Sequence, residues 1–128
     1  MKSDMEYAEE VIKSLITFRD KWGNVKGLLT VSQIRNILAM SADIYNSVLE
    51  SPTENLSEDL LDRISYLTVR LYYEAGRNQL VKKFIEKAKL IEKLKNAKTK
   101  KDYVDYYHYM EAYKEFSDYM YKWYRNEK

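Results

Sequence analysis

The chain has 128 residues, enough for one domain with a single sizeable core. With 45% hydrophobic and 33% charged residues it reads as neither a disordered tail nor a membrane protein, and the absence of cysteine excludes disulfides, cysteine-ligated zinc, iron–sulfur clusters and thiol nucleophiles. The net charge of +2 hides an asymmetry: residues 77–101 hold ten bases against two acids, which suits a polyanionic partner or, equally, a solvated lysine-rich helix.

Three glycines and one proline are too few for the turns of a sandwich or barrel, so long helices joined by few loops are expected. Ser3 and Glu6 have the spacing of a capping box. Behind them Val11, Ile12, Leu15, Ile16 and Phe18 recur at helical spacing as far as Trp22, before Gly23 and Gly27 break the pattern. Thr30 and Gln33 form a second such box, opening a helix with Ile34, Ile37, Leu38, Ile44 and Val48 on its apolar face. Ser51-Pro52-Thr53 should stop it near Glu50. Ser57 is a good N-cap for a third helix, with Glu58 and Asp59 at its positive end and Gly76 as its stop or a kink. A fourth helix is expected from about Asn78 to Asn96. Thr99-Lys-Lys-Asp102 then begins a fifth, reaching almost to the last residue. Neither strand alternation, nor a repeat, nor an interdomain linker is visible, so residues 1–128 read as one all-α domain, a bundle of five or six helices.

The third helix carries the most information. At about 100° per residue, Leu60, Ile64, Leu67, Leu71 and Ala75 share one face, the core side. Arg63, Arg70 and Arg77, spaced by seven, form a second stripe that drifts about 20° per step, with members about 10.5 Å apart. Tyr66 and Tyr73 border it. Arginine can clamp phosphate oxygens in bidentate fashion, and tyrosine can stack on a base or donate to a phosphate, so the stripe suits a nucleic-acid strand. The alternative is local pairing of Arg63 with Asp59 and of Arg70 with Glu74, worth about 0.3–0.5 kcal/mol each. Arg77 has no such neighbour.

Eight of the thirteen tyrosines lie between Tyr103 and Tyr124. A helix so aromatic on every side is docked on its own core, and a subunit interface could take the remainder. Asp102, Asp105 and His108 recur every three residues, a solvent-facing row rather than a metal site, because each step drifts about 60°. The isolated glycines make no phosphate loop, and a single histidine makes a Ser-His-Asp triad improbable. Nothing supports catalysis, a cofactor, a metal or a small-molecule substrate. No uncharged run approaches the ~18 residues of a membrane span, and the acidic start is unlike a signal peptide, so a cytoplasmic location is expected.

Two segments in order, LLTVSQIRNIL at 28–38 and LDRISYLTVRLYYEAGR ending at Arg77, resemble the small helical subunit of the type III-A CRISPR effector, the Csm complex. The likeness continues through VKKFIEKAKLIEKL at 81–94 and YMEA at 109–112, covering about residues 28–124 and leaving the first 27 without support. Val31 stands where the family pattern has a second Thr or Ser, and Tyr113 and Lys114 stand where it has an aliphatic pair. The resemblance implies a non-enzymatic subunit in antiviral defence that stacks in several copies along a guide RNA paired to target RNA. It also implies neighbouring backbone subunits that hold the guide, and a large polymerase-like subunit at one end. Its basic positions fall on Arg35, Arg70 and Arg77, with Lys82 and Lys83 just beyond, while Arg63 rests on spacing alone. A protein–protein adaptor using the tyrosine-rich last helix is the main alternative. A DNA-binding regulator and an unrecognised nuclease stand behind it.

Overall fold

The computed structural model describes residues 4–16 and 31–126. Six helices order the chain: α1 (Asp4–Ile16), α2 (Val31–Glu50), α3 (Glu58–Arg77), α4 (Gln79–Ala88), α5 (Leu90–Lys95) and α6 (Lys100–Asn126). Among the described residues there is no strand beyond an isolated bridge between Asn55 and Thr99. The all-α expectation holds. The first helix expected from the apolar pattern is present to Ile16; its continuation to Trp22, the caps expected at Ser3 and Thr30, and Gly23 and Gly27 lie outside the described residues.

The long helix α6 organises the bundle. Both α1 and α2 pack along it, α3 lies on the far side of α2, and α4 and α5 close the circuit against α3 and α1. Ala8, Val11 and Ile12 of α1 are buried, so this first helix belongs to the core although no family motif was read in it. Burying a branched aliphatic side chain such as Val11 or Ile12 contributes about 1.5–3 kcal/mol before entropy is counted.

The segment after α2 is tied to the start of α6. Leu56 N–H donates to the Lys98 carbonyl at 3.0 Å, and Lys100 N–H donates to that of Glu54 at 2.7 Å. Ser57 caps α3 as expected, its hydroxyl accepting Leu60 N–H at 3.2 Å. At the head of α6 Thr99 and Asp102 cap reciprocally. The Thr99 hydroxyl accepts Asp102 N–H at 3.2 Å, and the Asp102 carboxylate accepts the N–H groups of Lys98 and Thr99 at 2.9 and 3.1 Å. The Lys98 bond does most to hold the Asp102 carboxyl below the usual carboxylate range. A lowered folded value means stability that is complete at neutral pH and is lost as pH falls below about 3.8. Asp102→Asn should therefore be less stable than the parent at pH 7, with the gap closing in acid. Urea midpoints at pH 7 and pH 3 measure it.

Gly76 does not stop α3. The helix runs through it to Arg77, and Asn78 makes the break, its side-chain oxygen accepting the N–H groups of Leu80 and Val81 at 2.9 and 3.1 Å. A Cβ at Gly76 would meet nothing within 4 Å. Gly76→Ala is expected to stabilise the protein by about 0.5–1 kcal/mol, read as a higher urea midpoint, because helical glycine costs backbone entropy.

The single helix expected over 78–96 is two. The chain breaks at Lys89, a non-glycine residue at φ 57°. Every carbonyl freed at the end of α4 finds a donor: Lys89 N–H serves Ile85 and Glu86, the Tyr7 hydroxyl serves Lys87, and the Tyr109 hydroxyl serves Ala88 at 3.0 Å. Those phenols come from α1 and α6, so the break is a tertiary feature.

The tyrosines of α6 complete the core. Tyr103, Tyr106, Tyr109 and Tyr113 are buried, and each hydroxyl is bonded. Tyr103 donates to the Ser41 carbonyl at 2.7 Å. Tyr106 meets the Ser41 hydroxyl at 2.9 Å, which itself donates to Ile37. Burial pushes the Tyr103 and Tyr106 phenols well above their ordinary range, so they remain neutral donors. Tyr107 stacks on Tyr45 of α2, centroids 4.0 Å apart. The four buried rings are committed to the chain's own core, and an adaptor surface cannot use them. The side chains of Tyr119, Tyr121, Trp123 and Tyr124 lie outside the described residues.

Candidate nucleic-acid interface

The core stripe of α3 faces inward, with Leu60, Ile64, Leu67 and Leu71 buried. Turning that face in forces the arginine stripe to the seam with α2 and the outer surface. Residues 63, 66, 70, 73 and 77 alternate arginine and tyrosine at steps of three and four, so they form one continuous ridge. Tyr66, Val69 and Tyr73 are 66%, 59% and 57% exposed, an apolar strip that the core leaves uncovered. Val69 is an addition to the sequence reading. Its position opposite the core stripe was the available signal.

The three arginines differ in their partners. Arg63 is half-buried, donating to the Ser47 hydroxyl at 2.8 Å and to the Asp43 carbonyl at 3.4 Å, so it staples α3 to α2. Arg70 is exposed and, among the described residues, makes no hydrogen bond or ion pair. Arg77 is exposed, with its guanidinium 5.4 Å from the Tyr73 ring centroid. The local ion pairs considered for Arg63 with Asp59 and Arg70 with Glu74 do not form.

Arg35 sits elsewhere. It reaches across α2 to α6 and pairs with Asp118 at 3.3 Å, a carboxylate shared with Lys114 at 3.2 Å. Gln33, Asn36, Met40 and Asp43 line the opposite, α3-facing side of α2. Lys82 and Lys83 are exposed on α4, past the break at Asn78. The structure thus brings Arg70 and Arg77 onto one ridge with Tyr66 and Tyr73, sets Lys82 and Lys83 on the next helix, and leaves Arg35 apart.

Two depressions lie along the α2–α3 seam. The larger, about 450 Å³, is lined by Met40, Asp43, Ile44, Asp62, Arg63, Tyr66, Leu67 and Arg70. The smaller, about 220 Å³, gathers Gln33, Asn36, Glu74, Arg77 and Asn78 where α2, α3 and α4 meet. Asp102, Asp105 and His108 are exposed, as expected of a solvent-facing row. Lys101 pairs with Asp105 at 2.7 Å and Glu111 with His108 at 2.8 Å. Among the described residues no three His, Asp or Glu side chains are grouped to hold a metal, and no helix is long and apolar enough to cross a membrane.

Fold and surface together define a small all-helical protein whose middle helix offers a ridge of arginine and tyrosine. A family model described as Csm2 Type III-A matches residues 9–119. Proteins named "CRISPR system Cms protein Csm2" are similar over most of the chain. That of Enterococcus italicus is 35% identical, covering 85% of this chain and 83% of the relative. That of Streptococcus thermophilus is 34% identical over 86% and 87%, and that of Mycobacterium tuberculosis 32% over 72% and 75%. The chain belongs to the Csm2 family, and is a structural subunit of the type III-A CRISPR effector complex. The match begins at residue 9, earlier than the motifs read from residue 28, and takes in most of α1.

Proposed function

We propose that several copies of the chain line up along a guide RNA paired to its target, and that each copy lays the α3 ridge and the start of α4 against RNA phosphates. Arg70 and Arg77 make the phosphate contacts, Lys82 and Lys83 extend them, and Tyr66 and Tyr73 supply stacking surface. Arg35, on a separate side of α2, contributes only where a phosphate displaces Asp118 from it, and Arg63 acts by holding α3 in place. The chain performs no reaction and needs no cofactor. Sequence discrimination comes from base pairing between guide and target, while the protein reads backbone and shape. Backbone subunits and the large polymerase-like subunit are its protein neighbours in the cytoplasm.

The observation that carries this reading is the exposed Arg70 guanidinium, without an acidic partner among the described residues, on a ridge continuous with Arg77. A guanidinium already paired with a carboxylate gains little from phosphate; an unpaired one gains a charge-assisted bond and releases counterions. Recovering the tagged chain from its host at low salt tests the whole assembly. A discrete short RNA with repeat-derived ends, together with the large and backbone subunits, is expected. Recovery with proteins but no RNA overturns the RNA contacts.

A further inference from the structure

We propose that Asp118 competes with RNA for Arg35: its carboxylate holds the guanidinium in the free chain, yields it to a phosphate when RNA arrives, and falls back on Lys114. The inference rests on the RNA reading above and deepens it at the seam between α2 and α6.

The contact has the geometry of one that can be exchanged. Asp118 divides its two oxygens between cations from two helices, Oδ1 at 3.3 Å from Arg35 Nη2 and Oδ2 at 3.2 Å from Lys114 Nζ. Both distances exceed the about 2.7–2.9 Å of a close charge-assisted bond. Arg35 commits one nitrogen to the pair, and among the described residues its guanidinium has no other hydrogen bond. A guanidinium carries five N–H donors in a planar fork, which two phosphate oxygens fill better than one carboxylate oxygen does. The Arg35 side chain is 60% exposed, so a phosphate reaches it from solvent, whereas Asp118, at 21%, sits back in the seam.

Lys114 lowers the cost of the exchange. It lies one turn before Asp118 on α6, so this i,i+4 pair persists when Arg35 leaves and no carboxylate is stranded. The other acid beside Lys114 is Glu115, whose carboxylate stands 3.8 Å away and is 73% exposed. A single-oxygen contact in so exposed a pair is weak, and a two-oxygen phosphate contact exceeds it. Arg70 has no carboxylate to displace among the described residues, so RNA engages it first and Arg35 second.

The test uses the full chain and a labelled ten-nucleotide oligouridine, titrated by fluorescence anisotropy across a salt series that begins low. Asp118→Asn should bind severalfold tighter than the parent with the same salt slope, because the same contacts form and only the competitor is gone. Arg35→Gln should weaken binding and flatten the slope by about 0.7, one phosphate contact on a single strand. Joined to Arg35→Gln, Asp118→Asn should gain nothing, a coupling that a double-mutant cycle reads directly. Glu115→Gln makes the same charge change beside Lys114 and should gain much less. Circular dichroism checks the fold, and Asp118→Ala, a better helix former, repeats the measurement should the asparagine variant fold poorly. Unchanged affinity in Asp118→Asn, alongside a loss in Arg70→Glu with Arg77→Glu, overturns the competition and leaves the ridge standing. A gain that survives Arg35→Gln is an effect of bulk charge and also overturns it. A gain confined to chains that keep Arg35, together with an ineffective ridge variant, upholds the competition and overturns the ridge. No binding by either the parent or Asp118→Asn at low salt overturns both.

Discussion

Arg70→Glu combined with Arg77→Glu should sharply lower the affinity of the assembled complex for target RNA while leaving the fold intact. Both side chains are exposed, and among the described residues neither makes an ion pair, while the Arg77 guanidinium lies against the Tyr73 ring. Surface changes of this kind usually shift stability by no more than about 0.5 kcal/mol. Binding responds far more, because each phosphate contact releases counterions. Losing two contacts should flatten the dependence of log affinity on log salt by about 1.4–1.8 for every copy engaged. Several copies act together, so the loss at physiological salt compounds along the RNA. Filter binding across a salt series, with circular dichroism on the purified chain, measures both halves. Unchanged affinity with normal helicity would remove Arg70 and Arg77 from the interface. Arg63→Ala is the contrasting control. It releases the Ser47 hydroxyl and the Asp43 carbonyl, so its first effect is a lower unfolding midpoint, by about 1 kcal/mol.

The α3 ridge was legible in the sequence because its geometry depends on one helix. Once Leu60, Ile64, Leu67 and Leu71 define the inward face, the positions of Arg63, Arg70, Tyr66 and Tyr73 follow from the turn angle alone. Partners across helices carry no such signal. Arg35 and Arg70 look equivalent as basic residues in apolar helices, yet one meets Asp118 from a helix 83 positions away and the other meets nothing among the described residues. Arg63 has an acid four residues before it, but chooses Ser47 and a backbone carbonyl on α2. The groove is likewise a property of the seam: its α2 half, Met40, Asp43 and Ile44, has no motif of its own. Caps show the same division. Ser57 and Thr99–Asp102 act within four residues and were readable, whereas Gly76, the expected stop, lies inside α3 and the neighbouring Asn78 breaks the chain.

The break at Lys89 makes the strongest case for tertiary control, and Tyr109→Phe tests it. Residues 87–92, Lys-Ala-Lys-Leu-Ile-Glu, contain no glycine, proline or asparagine and would continue a helix if left alone. A lysine in the left-handed region costs about 1–2 kcal/mol, so the surroundings must over-determine it. Tyr109 is central to that. Its hydroxyl donates to the Ala88 carbonyl at 3.0 Å, leaving its oxygen to accept from Tyr113 at 2.7 Å, and its ring lies under the Lys93 ammonium at 4.4 Å. Phenylalanine keeps the ring and its packing but takes away a donor from one buried group and an acceptor from another. Leaving such groups unsatisfied costs about 1–3 kcal/mol, a fall of several degrees in Tm for a domain of this size. Amide hydrogen exchange should quicken at Lys89 and the first turn of α5 more than in α2. Tyr7→Phe, which strips the Lys87 carbonyl near the surface, should cost less because water can replace the lost hydroxyl. If Tyr109→Phe unfolds at the parent's midpoint, the break is held by side-chain packing alone, and the phenol hydroxyls are bystanders to it.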